Sequence, residues 1–129
     1  MGLRYAGDVA IRQPSAQATV PDPFIELLAY ARANDFDLPM DKAVELARAL
    51  SCFLDSAAFI QGEFELSSGP DGAIDFTNAT PELRISIEIP PDGLWISCVV
   101  RDMATRKRIF SGKVVTGYEL VERLRAVIG

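Results

Sequence analysis

The chain contains no histidine, so a Ser-His-Asp triad, a Cys-His pair and a zinc site of the His-Glu-x-x-His type are excluded. Its two cysteines, Cys52 and Cys98, are too few for a four-thiolate zinc site. Each lies in an apolar stretch, which predicts buried free thiols acting as small hydrophobes. A disulfide between them would need their Cα atoms within about 7 Å. The phosphate-cradling patterns GxxxxGK[ST] and GxGxxG do not occur. Carboxylate or lysine chemistry stays open for an enzyme, but no recognisable catalytic set marks it. The expectation is a non-catalytic protein without cofactor or metal.

Three clusters could instead bind a partner. In the first, Phe64 and Phe76 share the inner face of a hairpin, which puts Glu63, Glu65 and Asp75 on its outer face, Glu65 opposite Asp75. Such a patch suits a cation or a basic partner. The plain alternative is a solvated sheet face, and the spacing is not that of an EF-hand. In the second, Arg101, Arg106, Lys107, Arg108 and Lys113 fall within thirteen positions around the turn Asp102-Met103-Ala104-Thr105. A basic β-ribbon fits backbone phosphates or an acidic protein surface. Charges on a sheet edge also deter aggregation, which is the plain alternative here. The net charge of −5 opposes non-specific nucleic-acid binding.

The third cluster is apolar. A four-residue turn at 103–106 pairs Val100 with Ile109 and Val99 with Phe110. Trp95, Val99 and Phe110 then form an island among Arg84, Ser86 and Glu88, on the face away from the aliphatic core. Aromatic side chains of this kind are enriched at binding hot spots. Cover by the N-terminal segment or the first helix is the alternative.

The elements that position these clusters follow from periodicity. Residues 1–21 read as an N-terminal segment, with a short strand at about Leu3–Ile11 and a linker at 13–17. Asp22 as N-cap and Pro23 at the first helical position open a helix, with Phe24, Leu27, Leu28 and Ala31 on one face. The run 34–37 ends it. A second helix runs from about Pro39–Asp41 to about Phe59, burying Ala43, Leu46, Ala47, Leu50, Phe53, Leu54, Ala57 and Ala58.

The period then drops to two. Strands surround Phe64–Leu66 and Ile74–Phe76, then Leu83–Ile89 and Leu94–Val100. A four-residue loop at 90–93 sets Ile89 opposite Leu94, Ile87 opposite Ile96, Ile85 opposite Cys98 and Leu83 opposite Val100, all on one face. A further strand covers about Arg108–Val115. Thr116 and Glu119 form a capping box for a last helix. The predicted fold is α+β. It is one antiparallel meander of four to five strands in a single domain over 22–129, with two helices before it and one after, packed on one face.

With 129 residues, 49% apolar and 24% charged, the chain is the size and composition of one globular domain. No apolar run is long enough for a spanning helix, and the first residues lack a signal-peptide pattern, so a cytoplasmic protein is expected. Charge is uneven along the chain. Residues 22–92 carry fourteen acids and four bases, whereas 93–129 carry three acids and seven bases. A small acidic α+β domain without catalytic groups suits a protein-binding module of immunity, antitoxin, inhibitor or chaperone type. A protein partner is expected, a homodimer through the open sheet is compatible, and a nucleic-acid-binding accessory using the hairpin 101–113 is the alternative.

Overall fold

The structure is a computed structural model that describes residues 3–5, as a backbone strand, and 22–129. The expected linker at 13–17 and the remainder of the first strand lie outside the described residues. The element order is β1 (Leu3–Tyr5), α1 (Pro23–Ala33), α2 (Asp41–Asp55), β2 (Phe64–Ser68), β3 (Ile74–Ala79), β4 (Leu83–Ile89), β5 (Ile96–Asp102), β6 (Arg108–Val114) and α3 (Gly117–Ile128). The α+β architecture is as predicted. Strands β2 to β6 form an antiparallel meander, and β1 adds a sixth, parallel strand beside β2.

Alternation sets which face is buried. Phe64, Leu66, Ile74, Phe76, Ile85, Ile87, Ile89, Ile96, Cys98 and Val100 are all buried on one side of the sheet. The helices cover that side with Phe24, Leu27 and Ala31 from α1, Ala43, Ala47, Leu50 and Leu54 from α2, and Leu120, Val121 and Leu124 from α3. Asp22 caps α1 by accepting from the Phe24 N–H at 2.9 Å, and its other oxygen accepts from Arg48 of α2 at 2.8 Å. Burial works to raise the Asp22 pKa, but the hydrogen bonds from Arg48 and Phe24 outweigh it and leave it lowered. Thr116 caps α3 by accepting from the Glu119 N–H at 3.1 Å, one half of the capping box, while the Glu119 carboxylate accepts from the Val115 N–H and not from that of Thr116.

Two turns are docked onto the segment joining α1 and α2. The Asp37 N–H donates to the Pro70 carbonyl and the Met40 N–H to the Pro91 carbonyl. Gly72 and Gly93 sit at φ +92° and +67° within these turns. A Cβ on Gly93 would lie 2.7 Å from the Ala43 nitrogen, so only glycine lets the β4–β5 turn press against the start of α2.

Several local readings need correction. Helix α2 ends at Asp55, four residues short of Phe59, because Ser56 caps it and the chain turns through Ala57 to bury Ile60. Phe53 is 39% exposed and Ala58 is exposed, so neither is core. Cys52 is exposed as well, and only Cys98 is buried. Burial pushes the Cys98 thiol up to about 12, which makes it inert. The β4–β5 connection is two residues longer than predicted. Leu94 stays in the loop at 52% exposure, its N–H bonded to Asp92. Ile85 therefore pairs with Val100 and Ile87 with Cys98. A slip of two preserves parity, so the aliphatic side chains within β4 and β5 keep their predicted face, Leu94 alone being left outside.

Candidate functional site

The face of the sheet away from the helices carries its side chains in three rows, read straight across the strands. The first row is Ala79, Arg84, Arg101 and Arg108 on β3, β4, β5 and β6. The second is Glu65, Thr77, Ser86, Val99 and Ser111 on β2 to β6. The third is Ser67, Asp75, Glu88, Ser97 and Lys113. All of these residues are half-buried or exposed, and no helix packs on this face among the described residues.

Small side chains across the middle leave a hollow of about 360 Å³, lined by Ser67, Asp75, Thr77, Ser86, Ser97 and Val99 among others. Long charged side chains stand on either side of it. Strands rise about 3.4 Å per residue, so the arginine row lies ~13 Å from the carboxylates of the third row. Arg84, Arg101 and Arg108 stand directly side by side, an arrangement that like charges resist. None of the three has an ion-pair partner among the described residues.

The carboxylate side is strained in the same way. Asp75 pairs with Glu88 across β3 and β4, not with Glu65, which lies opposite Thr77. Burial first, then the charges of Glu88 and Asp71, push the Asp75 carboxyl up to about 6. Glu63 is exposed at the turn before β2 and does not share this pair. Glu63 and Glu65 line one shallow hollow of this face together with Thr77 and Ala79, Asp75 stands on the same face diagonal to Glu65, and Glu88 is the direct neighbour of Asp75 that alternation alone did not identify.

The apolar island also dissolves. The hairpin turn is as predicted, with the Asp102 N–H bonded to the Lys107 carbonyl and Arg101 opposite Arg108. A β-bulge at Ile109 then inserts one residue, so Val100 faces Phe110 and Val99 faces Ser111. Phe110 turns to the helix side, where it packs on the core and over Gly112. Trp95 lies just before β5, half-buried, with the Lys113 ammonium 4.5 Å from its ring centre. Val99 sits alone in the middle row, separated from Trp95 by Ser97.

Arg106 and Lys107 are exposed at the tip of the β5–β6 hairpin, next to Arg108. The tip is well built. Asp102 accepts from the Ala104 and Thr105 N–H groups at 2.8 and 3.1 Å, and Arg106 takes φ +64°. The Met103 N–H donates to the Glu82 carbonyl, tying this tip to the β3–β4 turn. Folding thus gathers Arg84, Arg101, Arg106, Lys107 and Arg108 at one end of the molecule. Among the described residues no group of three potential metal ligands forms, and no helix is long and apolar enough to cross a membrane. Comparison with protein-family models, with curated proteins and with solved structures found no match to this chain.

Proposed function

We propose that the protein is a non-catalytic interaction module that docks a protein partner on the open face of its sheet. The charge layout of that face carries the reading: three side-by-side arginines, a bed of small side chains, and a carboxylate pair ~13 Å away along the strands. A fitting partner presents carboxylates to Arg84, Arg101 and Arg108 and a lysine or arginine to Asp75 and Glu88. Such pairing gives register and association rate. The Ser and Thr side chains between let the partner come close to the strands, and Trp95 at the margin supplies an aromatic anchor. In this reading the protein is of the same general type as immunity proteins, antitoxins, inhibitors or chaperones. It acts in the cytoplasm, where its two free thiols stay reduced.

The test is affinity capture from the native host with the wild type, Val99→Arg and Arg101→Glu. Val99→Arg plants a long cation in the bed of the face, and Arg101→Glu reverses the centre of the arginine row. A stoichiometric protein that survives nuclease and is lost with both variants is the expected result. A partner that binds both folded variants as it binds the wild type overturns the proposal.

One observation favours a second reading. The β4–β5 register sets Arg84 beside Arg101, so the basic end is larger than the hairpin alone. A nucleic-acid-binding accessory would use those five cations. It requires nuclease-sensitive capture, binding that falls steeply with salt, and loss on neutralising Arg106, Lys107 and Arg108 together.

A further inference from the structure

A second hollow lies on the helix side of the sheet, away from the open face and independent of the reading above. It opens between the end of α3, the α2–β2 connection and the β3–β4 turn, and has a volume of about 360 Å³. That is near the lower end of the ~300–1,000 Å³ typical of small-molecule sites. Its deepest lining residues are Ile60, Ile85 and Asn78, exposed by 5%, 2% and 2%. Phe59, Leu83 and Ile128 add half-buried apolar walls. The Arg125 guanidinium lies 4.9 Å from the Phe59 ring centre and is itself paired with Glu122.

Asn78 is the only buried polar residue among the described residues, and its bonding is one-sided. Its amide nitrogen donates to the Gln61 carbonyl at 2.9 Å and to the Glu63 carbonyl at 3.2 Å. Two carbonyl oxygens can only be met by the NH₂ end, which fixes the orientation of the amide. Its Oδ1 is left as an acceptor with no hydrogen-bond donor among the described residues. A buried acceptor without a donor costs free energy until something supplies one.

The other polar groups of the hollow point to what would supply it. Thr80 is occupied on both counts, donating to the Leu83 carbonyl and accepting from the Leu83 N–H. Glu82 is exposed at the rim with a carboxylate. Gln61, also exposed, is the one lining side chain with N–H groups to offer. The hollow is therefore apolar in its walls and rich in acceptors, with an anionic group at its mouth.

We propose that this hollow binds a small primary amine with an apolar body, the ammonium donating to Asn78 Oδ1 and attracted by Glu82, the body lying against Phe59, Leu83 and Ile128. The probe is phenethylamine, titrated into isotope-labelled full-length protein and followed by NMR, with phenylacetate as the counterpart of opposite charge. The expected result is saturable shifts in the Asn78 side-chain amide and in Thr80, Leu83 and Ile128 with the amine, and none that saturate with the acid. Glu82→Gln, at an exposed position, should weaken the amine by roughly twofold to fivefold, the scale of an exposed ion pair. Shifts that do not saturate, saturable shifts that phenylacetate reproduces, or full affinity in Glu82→Gln each overturn the proposal. So does a crystal structure grown with phenethylamine that shows only a water on Asn78 Oδ1.

Discussion

Asp75→Asn removes one charge from the open face while keeping the shape of the side chain, and its effect on stability has a definite sign. The carboxyl is raised from 3.8 to about 6 in the folded protein, by burial first and then by Glu88 and Asp71. Between those two values the folded state holds its proton more tightly than the unfolded state. Stability contributed by this group is therefore full below pH 3.8 and is lost as pH rises through about 6. One pKa unit corresponds to 1.36 kcal/mol, so the shift is worth about 3 kcal/mol at face value. Asp75 is only half-buried, and solvent screening brings the figure to roughly 1–2 kcal/mol.

Urea unfolding of wild type and Asp75→Asn, followed by circular dichroism from pH 3.5 to 8, isolates the contribution of Asp75 and its coupling to Glu88 and Asp71, because the carboxylates remote from it cancel in the difference. Asp75→Asn should be the more stable protein by about 1–2 kcal/mol at pH 7.5, and the gap should nearly close at pH 3.5, where the folded carboxyl is protonated and the unfolded one mostly so. Glu88→Gln should act in the same direction but less, since it removes the second cause and leaves the first. A variant no more stable than the wild type at pH 7.5, or a gap that persists at pH 3.5, would refute the reasoning.

Three further outcomes follow from the packing. Gly93→Ala should destabilise by about 2 kcal/mol or more in the same assay, since it combines a left-handed backbone with a Cβ 2.7 Å from the Ala43 nitrogen. Asp22→Ala should cost about 1–2 kcal/mol by removing both the α1 cap and the Arg48 bridge to α2, and Arg48→Ala should cost less because the cap remains. Phe110→Ala should cost about 1–2 kcal/mol while Val99→Ser changes stability by under ~0.5 kcal/mol, because the bulge puts the first on the core side and leaves the second on the open face. Equal effects at these two positions would place both on one face and contradict the bulge.

The architecture was legible because it depends on parity. Alternation assigns each strand residue to a face, and the two-residue error in the β4–β5 turn left that assignment intact. The same rule made Phe110 illegible. One extra residue at Ile109 reverses parity, and an isoleucine beside a phenylalanine gives no sign of a bulge. The end of α2 failed for a related reason: Ala57 and Ala58 continue the apolar spacing of the helix while belonging to the connection after it.

Arg84 was missed as a member of the basic cluster because the predicted register set it opposite Val99. The longer turn moves it to Arg101. Asn78 had a signal that periodicity could have used. It stands at the third inward position of β3, after Ile74 and Phe76, where a polar residue must find partners in the core.

The open face spends stability in two places, and both have the same remedy. Three adjacent arginines repel one another, and Asp75 is held beside Glu88 where burial already disfavours its charge. Neither arrangement helps the isolated chain fold. Small neutral side chains at those positions would continue the serine and threonine bed without strain. A complementary surface relieves both at once, since carboxylates satisfy the arginines and a cation offsets the burial and repulsion that the Asp75 carboxylate bears. Strain of this kind is what the proposed docking face would retain at the expense of stability. The two properties should therefore separate in one variant. Asp75→Asn should melt higher than the wild type at pH 7.5 yet bind the captured partner more weakly, read by titration calorimetry. A variant that gains stability and keeps full affinity would show that the carboxylate pair plays no part in recognition, and would leave the arginine row to carry it.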